Sequence, residues 1–549
     1  MTDSIQTTLA RACEQLLAAR GVHGHWEGEL SASALSTATA VIALALVDRE
    51  RYAVLIRRGL DWLKNHANAD GGWGDTVLSN SNISTTTLAC AAFGFLGEPA
   101  PAAESWLTQR DGGDLVRAII ARYGKDRTFS VPILTTCALT GRCGWEQVLP
   151  LPFELAVLPP ALFKWLRLPV VSYALPALIA IGQVRHHHRP ERRWLRDRTR
   201  QASLRVLEKI QPSSGGFLEA IPLTSFVTMS LAGMGLAHHP VAERGVKFLV
   251  AVARSDGSWP IDINLATWVT TLAVNALGDS LSESERAPIR DWLLAQQHRE
   301  LHPYTNAAPG GWAWTDLPGG VPDADDTAGA LLALKTLGAP VSPEIAAGIR
   351  WLCHLQNRDG GIPTFCKGWG ALPFDRSSPD LTAHALRAFN VWPLNRAVAR
   401  ARQRALAYLA RAQRPDGAWS PLWFGNQHAP DEENLTYGTA NVVRALPPGP
   451  MRDAGLRWLL AAQNDDGSWG GGVRTAPSIE ETALAVTALV PLHRASAIRG
   501  AEWLVRATDE GRVFPPSPIG LYFAKLWYYE KLYPLIFTVT ALKRVGDFS

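Results

Sequence analysis

Apolar residues along the chain recur at helical spacing, and the same pattern returns many times. Each copy is a short amphipathic segment ending in Asp-Gly, which is typical of a helix stop and turn, and an aromatic residue usually follows. Clear copies occupy residues 57–75, 244–259, 402–419 and 453–469, and weaker copies occupy 347–361 and 499–514. A second, more apolar segment such as TTTLACAAFGFLG follows the turn. Because no run alternates convincingly as a strand does, the pattern predicts an all-α fold of stacked helical hairpins.

The tryptophan of each DGxW turn has two interpretations, one structural and one functional. In the structural one, the indole packs over the turn and joins neighbouring helices. We favour it, because a residue at the same place in every repeat rarely serves a single site. It applies to Trp73, Trp259, Trp419 and Trp469, and it accounts for only part of the 21 tryptophans in the chain.

Composition and charge narrow the class of protein. The chain has 549 residues, of which 47% are hydrophobic and 19% charged, and this fits a globular protein of two or three domains. A formal net charge of +4 gives no reason to expect a nucleic-acid partner. Six cysteines without a CxxC pair indicate reduced thiols in the cytosol, and the N-terminus lacks the pattern of a signal peptide.

The sharpest local signal is a group of three aspartates, Asp323, Asp325 and Asp326, just before an apolar helix that begins near Thr327. These carboxylates could cap the helix, hold Mg²⁺, or act as an acid if mutual repulsion raises the pKa of one of them. The cluster alone leaves the three roles open. The segment GGWAW directly precedes it, and indole faces stabilise cations. An acid beside such faces suits carbocation chemistry better than phosphate chemistry.

Several segments, in their order along the chain, resemble the squalene–hopene cyclase family. The repeats resemble the QW motifs of that family, PDADDTA resembles its acid motif, and GGWAW resembles the aromatic segment before that motif. Further similar segments are LATWVTTLAVNAL (265–277), SPDLTAHALRAF (378–389) and NLTYGTANVVRAL (434–446). The resemblance implies two α/α barrels with a cavity between them. The first would span about 10–252 and the second 253–549, with residues 1–9 packing near the second.

The resemblance also implies roles for individual residues. Asp325 matches the general acid of the family, and its expected catalytic neighbours are Asp323, Asp326, His384, Asp380 and Tyr437. His384 would hydrogen-bond the acid cluster, and Asp380, four residues earlier, would share its helix face. The expected substrate-binding aromatic residues are Trp268, Trp312, Trp314, Phe365, Tyr522 and Tyr173. The last three match through looser alignments, so that simple core packing stays open for them.

The chemistry implied is that of a class II terpene cyclase, which protonates squalene or a similar linear isoprenoid and forms a polycyclic triterpene. No redox cofactor and no metal is required. Two departures from the family matter. Thr37 and Thr39 stand where the family tends to carry acidic residues, and the aromatic positions of PSPIGLYFAKLWYYEKLYP are shifted. The product therefore need not be hopene.

The segment 149–201 is the predicted membrane-facing entrance. Its first part, 149–182, is apolar but interrupted by charges and prolines, so it could rest on a bilayer and should not span one. An Arg-rich stretch at 185–201 follows. An apolar surface beside basic residues suits a cytoplasmic, monotopic enzyme on the inner face of the membrane, taking an isoprenoid lipid from the bilayer. A solvated helix beside a core loop is the alternative, and a homodimer is one assembly that the sequence leaves open.

Three other functions stay open. A class II cyclase of a prenyl diphosphate, of the labdane or drimane type, would use the same acid and would need Lys, Arg or Mg²⁺ at the far end of the cavity. The β-subunit of a protein prenyltransferase would need a zinc site, for which Cys353 and Cys366 lack a convincing ligand pattern. A helical-repeat binding scaffold would leave the acid cluster and its aromatic neighbours unexplained.

Overall fold

The computed structural model describes residues 3–124, 126–191, 193–393, 395–522 and 525–547, and in this part of the chain it is all-α apart from four very short strands. The elements of the N-terminal half are α1 (Asp3–Ala18), β1 (Ala32–Ser33), α2 (Ala34–Asp48), α3 (Ala53–Asn65), α4 (Ile83–Leu96), α5 (Pro101–Asp111), α6 (Leu115–Tyr123), α7 (Ser130–Leu139), α8 (Pro160–Trp165), α9 (Val170–Tyr173), α10 (Leu175–His188), α11 (Arg193–Ile210), α12 (Ile221–Ala232), α13 (Pro240–Ala251) and β2 (Trp259–Pro260).

The C-terminal half continues the same alternation of helices. Its elements are α14 (Ala266–Leu277), α15 (Glu283–Ala295), α16 (Ala324–Thr336), α17 (Pro343–Leu355), α18 (Pro379–Val391), α19 (Arg396–Ala412), α20 (Leu435–Ala445), α21 (Pro450–Ala461), α22 (Ile479–Leu489), α23 (Arg494–Ala507), β3 (Gly520–Tyr522), β4 (Leu526–Tyr528) and α24 (Tyr533–Asp547). Short 3-10 helices lie at Trp145–Gln147, Phe153–Val157, Phe217–Glu219, Gly278–Ser280 and Pro430–Glu432.

The helices form two closed rings. In the first, α2, α4, α7, α10 and α12 each contact the next, and α12 returns to α2. In the second, α14, α16, α18, α20, α22 and α24 do the same, and α24 returns to α14. Inner helices such as α2 and α22 are buried on nearly every side because they are covered on both faces, whereas an outer helix such as α19 buries only one stripe, Val398, Ala401, Ala405 and Leu409. The predicted pair of α/α barrels is therefore confirmed.

The DGxW turns join an outer helix to the next inner helix. The glycines of five turns adopt the left-handed backbone that favours this residue, with φ between 88° and 97° at Gly71, Gly257, Gly360, Gly417 and Gly467. The indole N–H of Trp73, Trp259, Trp419 and Trp469 in each case donates to the carbonyl of a leucine ten residues earlier. The backbone N–H of the same residues donates to a threonine hydroxyl of an inner helix. The structural interpretation of these four tryptophans is confirmed.

The two rings share several contacts. The Arg122 guanidinium of the first half donates two hydrogen bonds of 2.8 and 2.7 Å to the Glu432 carboxylate of the second. Asp75 of the first half accepts a 2.8 Å hydrogen bond from the Trp527 backbone N–H. Helix α1 packs on α24 and α23 along its whole length, so residues 10–18, which we expected in the first barrel, lie with the second.

The segment 149–182 does not form a continuous helix. It folds into a 3-10 helix, the short helices α8 and α9, and the first part of α10. Within the described residues, every helix is too short or too polar to cross a membrane. This agrees with the expectation that the segment does not span a bilayer.

Candidate active site

Helix α16 begins with the acid motif. Asp323 is the N-cap residue, and its carboxylate accepts hydrogen bonds of 2.9 Å from the backbone N–H groups of Asp325 and Asp326. A carboxylate at this place satisfies N–H groups that have no partner within the helix. Capping therefore accounts for Asp323, and it leaves the carboxyl groups of Asp325 and Asp326 for other roles.

Asp325 faces the neighbouring inner helix α18. Its Oδ1 lies 2.5 Å from Nδ1 of His384, and the two side chains are 21% and 13% exposed. Asp325 and His384 line a cavity of about 510 Å³ together with Trp268, Asp380 and Tyr437. The structure thus brings together five of the residues that the sequence analysis selected, from helices α14, α16, α18 and α20.

Burial controls the protonation of the other carboxyl groups. It raises the pKa of Asp323 to about 7 and that of Asp380 to about 6, and it raises the pKa of Asp326 well above its usual range. The Ser378 hydroxyl donates to the Asp380 carboxylate and opposes part of this shift. Protons retained on these groups reduce the negative charge around Asp325 near neutral pH.

Aromatic rings surround the Asp325–His384 pair. The Trp268 ring lies edge-on to the His384 ring at 6.0 Å, and its indole N–H donates to the Tyr533 hydroxyl at 3.0 Å. The Tyr437 ring stacks on Phe424 at 3.9 Å, and burial raises the pKa of its phenol well above the usual value. Tyr437 is therefore a neutral hydroxyl at physiological pH. The sequence analysis did not select Phe424 or Tyr533.

A second group of rings lies where the two barrels meet. Trp314 approaches Phe365 at 6.3 Å, and Phe365 approaches Tyr173 at 5.5 Å. The Tyr173 hydroxyl donates to the Phe365 carbonyl at 3.0 Å, which fixes the first barrel against the second. The Trp314 carbonyl accepts from the backbone N–H of Trp268 at 3.2 Å and so connects the two groups of rings. Three of the expected substrate-binding residues thus lie together.

Trp312 differs from the expectation. Its side chain is fully buried, and its indole N–H donates to the Leu293 carbonyl of the outer helix α15. Its backbone N–H donates to the Thr327 hydroxyl of α16, as the turn tryptophans donate to their threonines. The structure therefore gives Trp312 the repeat position and turns its ring away from the acid. Tyr522 ends strand β3, and its side chain lies outside the described part of the structure.

Thr37 and Thr39, which stand where the family tends to carry acidic residues, both make hydrogen bonds in the structure. The Thr37 hydroxyl accepts a 3.0 Å hydrogen bond from the Trp259 backbone N–H, so this residue is the repeat threonine of helix α2. Thr39 donates to the carbonyls of Leu35 and Ser36 within the same helix. Both side chains are buried and bonded locally.

Two half-buried arginines, Arg387 and Arg444, line the same cavity as Asp325. Burial, assisted by the nearby Arg544, lowers the pKa of Arg387 to about 10, and burial lowers the pKa of Arg444 well below its usual value. At this pKa Arg387 remains a cation at neutral pH, and its charge interacts with that of Asp325. As for metals, the described residues contain no group of three or more His, Cys, Asp or Glu side chains placed to hold an ion.

The raised pKa of Asp323 predicts how cyclisation depends on pH. Below about pH 7 this carboxyl is protonated, and above it the group ionises and adds a negative charge beside Asp325. A like charge disfavours the carboxylate that forms when Asp325 gives up its proton, so we expect the rate to fall above pH 7 in the wild type. Asp323→Asn keeps a capping side chain but cannot ionise, so its rate should not show the fall above pH 7 that Asp323 causes in the wild type. An unchanged fall in the variant would instead indicate the titration of another group, such as Asp380, whose pKa burial raises to about 6.

Comparisons with known proteins identify the family that the chain matches. The family described as squalene-hopene cyclase C-terminal domain matches residues 265–546, and the N-terminal domain of the same family matches residues 9–174. A terpene cyclase–glycosyl transferase fusion protein of Humicola fuscoatra is 28% identical, over 99% of this chain and 50% of that protein. A squalene–hopene cyclase of Alicyclobacillus acidocaldarius is 26% identical, over 80% of this chain and 78% of that enzyme. The chain thus spans half the length of the first relative and most of the second.

A solved structure extends the likeness to the whole fold. The ent-copalyl diphosphate synthase from Streptomyces platensis has a TM-score of 0.56 to this chain at 22% sequence identity. The superposition covers 98% of this chain and 99% of that one. Both chains therefore share the arrangement of two helical barrels.

Proposed function

The chain belongs to the squalene–hopene cyclase family, and we propose that it cyclises a linear isoprenoid by protonating the terminal alkene with the carboxylic acid of Asp325. The observation that carries the proposal is the 2.5 Å contact between Asp325 and His384 in the wall of a cavity lined by Trp268 and Tyr437. The match over both halves of the chain argues against a protein prenyltransferase subunit and against a binding scaffold.

The difficult step is the first proton transfer, because an isolated alkene is a very weak base. The acid must therefore be strong and its surroundings must exclude water. The imidazolium of His384 stabilises the carboxylate that Asp325 leaves behind, and the cationic Arg387 faces the same cavity. The proton moves from the Asp325 carboxyl to one alkene carbon, and the positive charge develops on the other carbon of that bond.

The rest of the cascade needs little acid–base chemistry. Each ring closes when the π electrons of the next double bond attack the cationic carbon, and the charge moves along the substrate. Indole and phenol rings stabilise these cations by about 2 kcal/mol or more when they are desolvated. Trp268, Trp314, Phe365 and Tyr437 are the rings placed to do this. Proton loss or the addition of water to the last cation ends the reaction.

Two substrates fit this chemistry. Squalene, giving a polycyclic triterpene, is the candidate that the family implies. A prenyl diphosphate is the second candidate, because lysines and arginines gather at a separate cavity beside Phe365. Incubation with squalene, oxidosqualene and geranylgeranyl diphosphate, followed by mass spectrometry, tests the proposal. Formation of no cyclic product from any of these, or from shorter and longer isoprenoids, would contradict it.

We also propose that the protein binds a membrane surface through the first part of the segment 149–201. Large apolar side chains are exposed there, notably Trp165, which is 77% exposed, with Leu166 and Leu168 beside it. Such a cluster on a soluble face would be costly without a partner surface. The Arg-rich part contributes less than expected: Arg185 is buried and pairs with Glu191, and Arg192 lies outside the described residues. A homodimer stays a prediction.

Exchange of two of these side chains tests the membrane contact. We expect Trp165→Ser/Leu168→Ser to bind anionic lipid vesicles at least tenfold more weakly in a flotation assay, since each apolar side chain withdrawn from lipid loses roughly 1.5–3 kcal/mol. Binding by the wild type should be reversed by detergent more readily than by salt. Val54, which is 72% exposed on α3, supplies the control variant Val54→Ser. Equal binding by all three proteins would contradict the proposal.

A further inference from the structure

A second cavity, of about 1120 Å³, opens beside the aromatic rings at the junction of the two barrels. Its walls come from α8 and α9 of the first barrel and from α17, α19 and the loop 362–378 of the second. Seven lysine and arginine side chains line it, against a single carboxylate, Asp359. The whole chain has 54 basic and 50 acidic residues, so this excess reflects local placement and not composition.

These cations lack the ion pairs that are usual for clustered charges. Within the described residues, none of the seven makes a salt bridge, although Arg404 donates to two backbone carbonyls. Asp359 is engaged by the Gly361 backbone N–H and the Ser377 hydroxyl, both at 2.9 Å. Burial and the nearby Arg404 lower the pKa of Lys367. Like charges held together raise the free energy of the empty site, and a bound anion would offset that cost.

One backbone hydrogen bond and three residues separate the acid motif from the basic cavity. The Ala324 N–H, next to Asp325, donates to the Thr364 carbonyl at 2.9 Å. Lys367 follows Thr364 by three residues, which an extended chain spans in at most about 11 Å. Phe365 lies between them, lines the basic cavity and packs on Trp314. The cations and the acid are therefore close enough for one elongated molecule to contact both.

We propose that the basic cavity is a subsite for the diphosphate group of an isoprenoid substrate, a role that rests on the cyclisation proposed above. Guanidinium groups bind phosphate oxygens in pairs of parallel hydrogen bonds, and ammonium groups add compact positive charge. Arg350, Arg376 and Lys367 converge on the cavity from a helix and a loop, as recognition of several phosphate oxygens requires. The diphosphate end of the substrate stays at this entrance, and the terminal alkene at the other end reaches Asp325.

The phosphate of a membrane lipid has the same chemistry and must be distinguished. Trp165, which is 77% exposed, directly follows Lys164, and Trp369, which is 68% exposed, follows Lys367 by two residues at the cavity rim. A rim that touches a bilayer could hold lipid head groups instead of substrate. The test therefore measures diphosphate binding and vesicle binding separately.

The test variant is Lys367→Gln/Arg376→Gln, which removes two cations from the cavity and leaves the residues of the acid site unchanged. The matched control is Arg396→Gln/Arg400→Gln, in which two exposed arginines of α19 outside the cavity are changed in the same way. Titration calorimetry with inorganic pyrophosphate measures the subsite without turnover. Steady-state kinetics with geranylgeranyl diphosphate and with squalene measure its use. Flotation on phosphatidylcholine vesicles with and without phosphatidylglycerol measures lipid binding.

We expect pyrophosphate affinity to fall at least tenfold in the cavity variant, a change of about 1.4 kcal/mol, and to stay unchanged in the control. The KM for geranylgeranyl diphosphate should rise by a similar factor, and any turnover of squalene should not change. Equal pyrophosphate binding by wild type and variant would overturn the proposal. A loss confined to anionic vesicles would also overturn it and assign the cations to lipid.

Two further measurements keep these outcomes separate. The Asp325→Asn protein should bind pyrophosphate like the wild type, because the subsite does not depend on the acid. Pyrophosphate binding therefore tests the subsite alone, whereas only product analysis tests the proposed cyclisation. If Lys367→Gln/Arg376→Gln does not fold, as judged by circular dichroism and thermal melting, Arg350→Gln on the exposed face of α17 repeats the test.

Discussion

Replacing Asp325 with asparagine is expected to abolish cyclisation and to leave the fold intact. An amide has nearly the same shape as a carboxyl group but cannot protonate an alkene, and loss of general acid catalysis typically costs about 10²–10⁴ in rate. The helix start should survive, because Asp323 and not Asp325 supplies the N-cap hydrogen bonds. Product formation from a saturating isoprenoid substrate, measured by mass spectrometry, is the readout.

The control for this variant is Asp279→Asn. Asp279 lines the same cavity but is fully exposed and pairs only with Arg286 at the surface. We expect its cyclisation rate to equal that of the wild type, since an exposed ion pair contributes little to stability. Activity of Asp325→Asn within about tenfold of the wild type would show that another group donates the proton. Asp326, which is buried in the same cluster, would then be the next residue to change.

The repeat architecture could be predicted from sequence because each unit carries its own signals. An amphipathic outer helix, a glycine with positive φ and an apolar inner helix recur within about 40 residues, and each signal is local. The acid motif is equally local, since Asp323 and Asp325 belong to one helix start. The partner residue His384 came from family resemblance, and the 2.5 Å contact across helices α16 and α18 agrees with that assignment.

The residues that sequence analysis missed depend on distant parts of the chain. Tyr533 accepts a hydrogen bond from the Trp268 indole and belongs to the aromatic C-terminal segment. The sequence shows that this segment is rich in aromatic residues, but it does not show that Tyr533 contacts Trp268. The cations of the basic cavity come from α8, α17, α19 and a loop, and no sequence window contains them together. Phe424 lies in a loop without any repeat signal, and only the fold places it on Tyr437.

Trp312 was predicted to bind substrate, and not to be a repeat tryptophan, because its turn lacks the usual Asp-Gly-x-Trp sequence. The turn reads Pro-Gly-Gly-Trp in place of Asp-Gly-x-Trp, yet Gly310 has a φ of 114° and the indole still bonds an outer helix. The leucine that accepts this bond is 19 residues earlier, against ten in the other turns. Because of this longer connection, the repeat is difficult to recognise in the sequence. Two residues later, Trp314 lies among the rings at the junction of the barrels.

The different positions of Trp312 and Trp314 predict opposite effects of the same substitution. Trp312→Ala should lower the free energy of unfolding by about 3–5 kcal/mol, because it empties a fully buried site and removes an indole hydrogen bond. Total yield should fall with stability, and the ratio of products from the protein that remains folded should not change. Denaturant unfolding and product analysis of the soluble fraction measure the two effects.

Trp314→Ala should instead change the products. Its indole is partly exposed and packs on Phe365 beside the expected path of the substrate, so its loss removes π-electron density more than core packing. A cation that loses this stabilisation loses a proton sooner, and partially cyclised products should accumulate. Trp314→Phe keeps a smaller ring and should shift the product ratio less. An unaltered product ratio in Trp314→Ala would show that Trp314 does not stabilise the cation. An altered product ratio in Trp312→Ala would show that Trp312 does more than pack in the core.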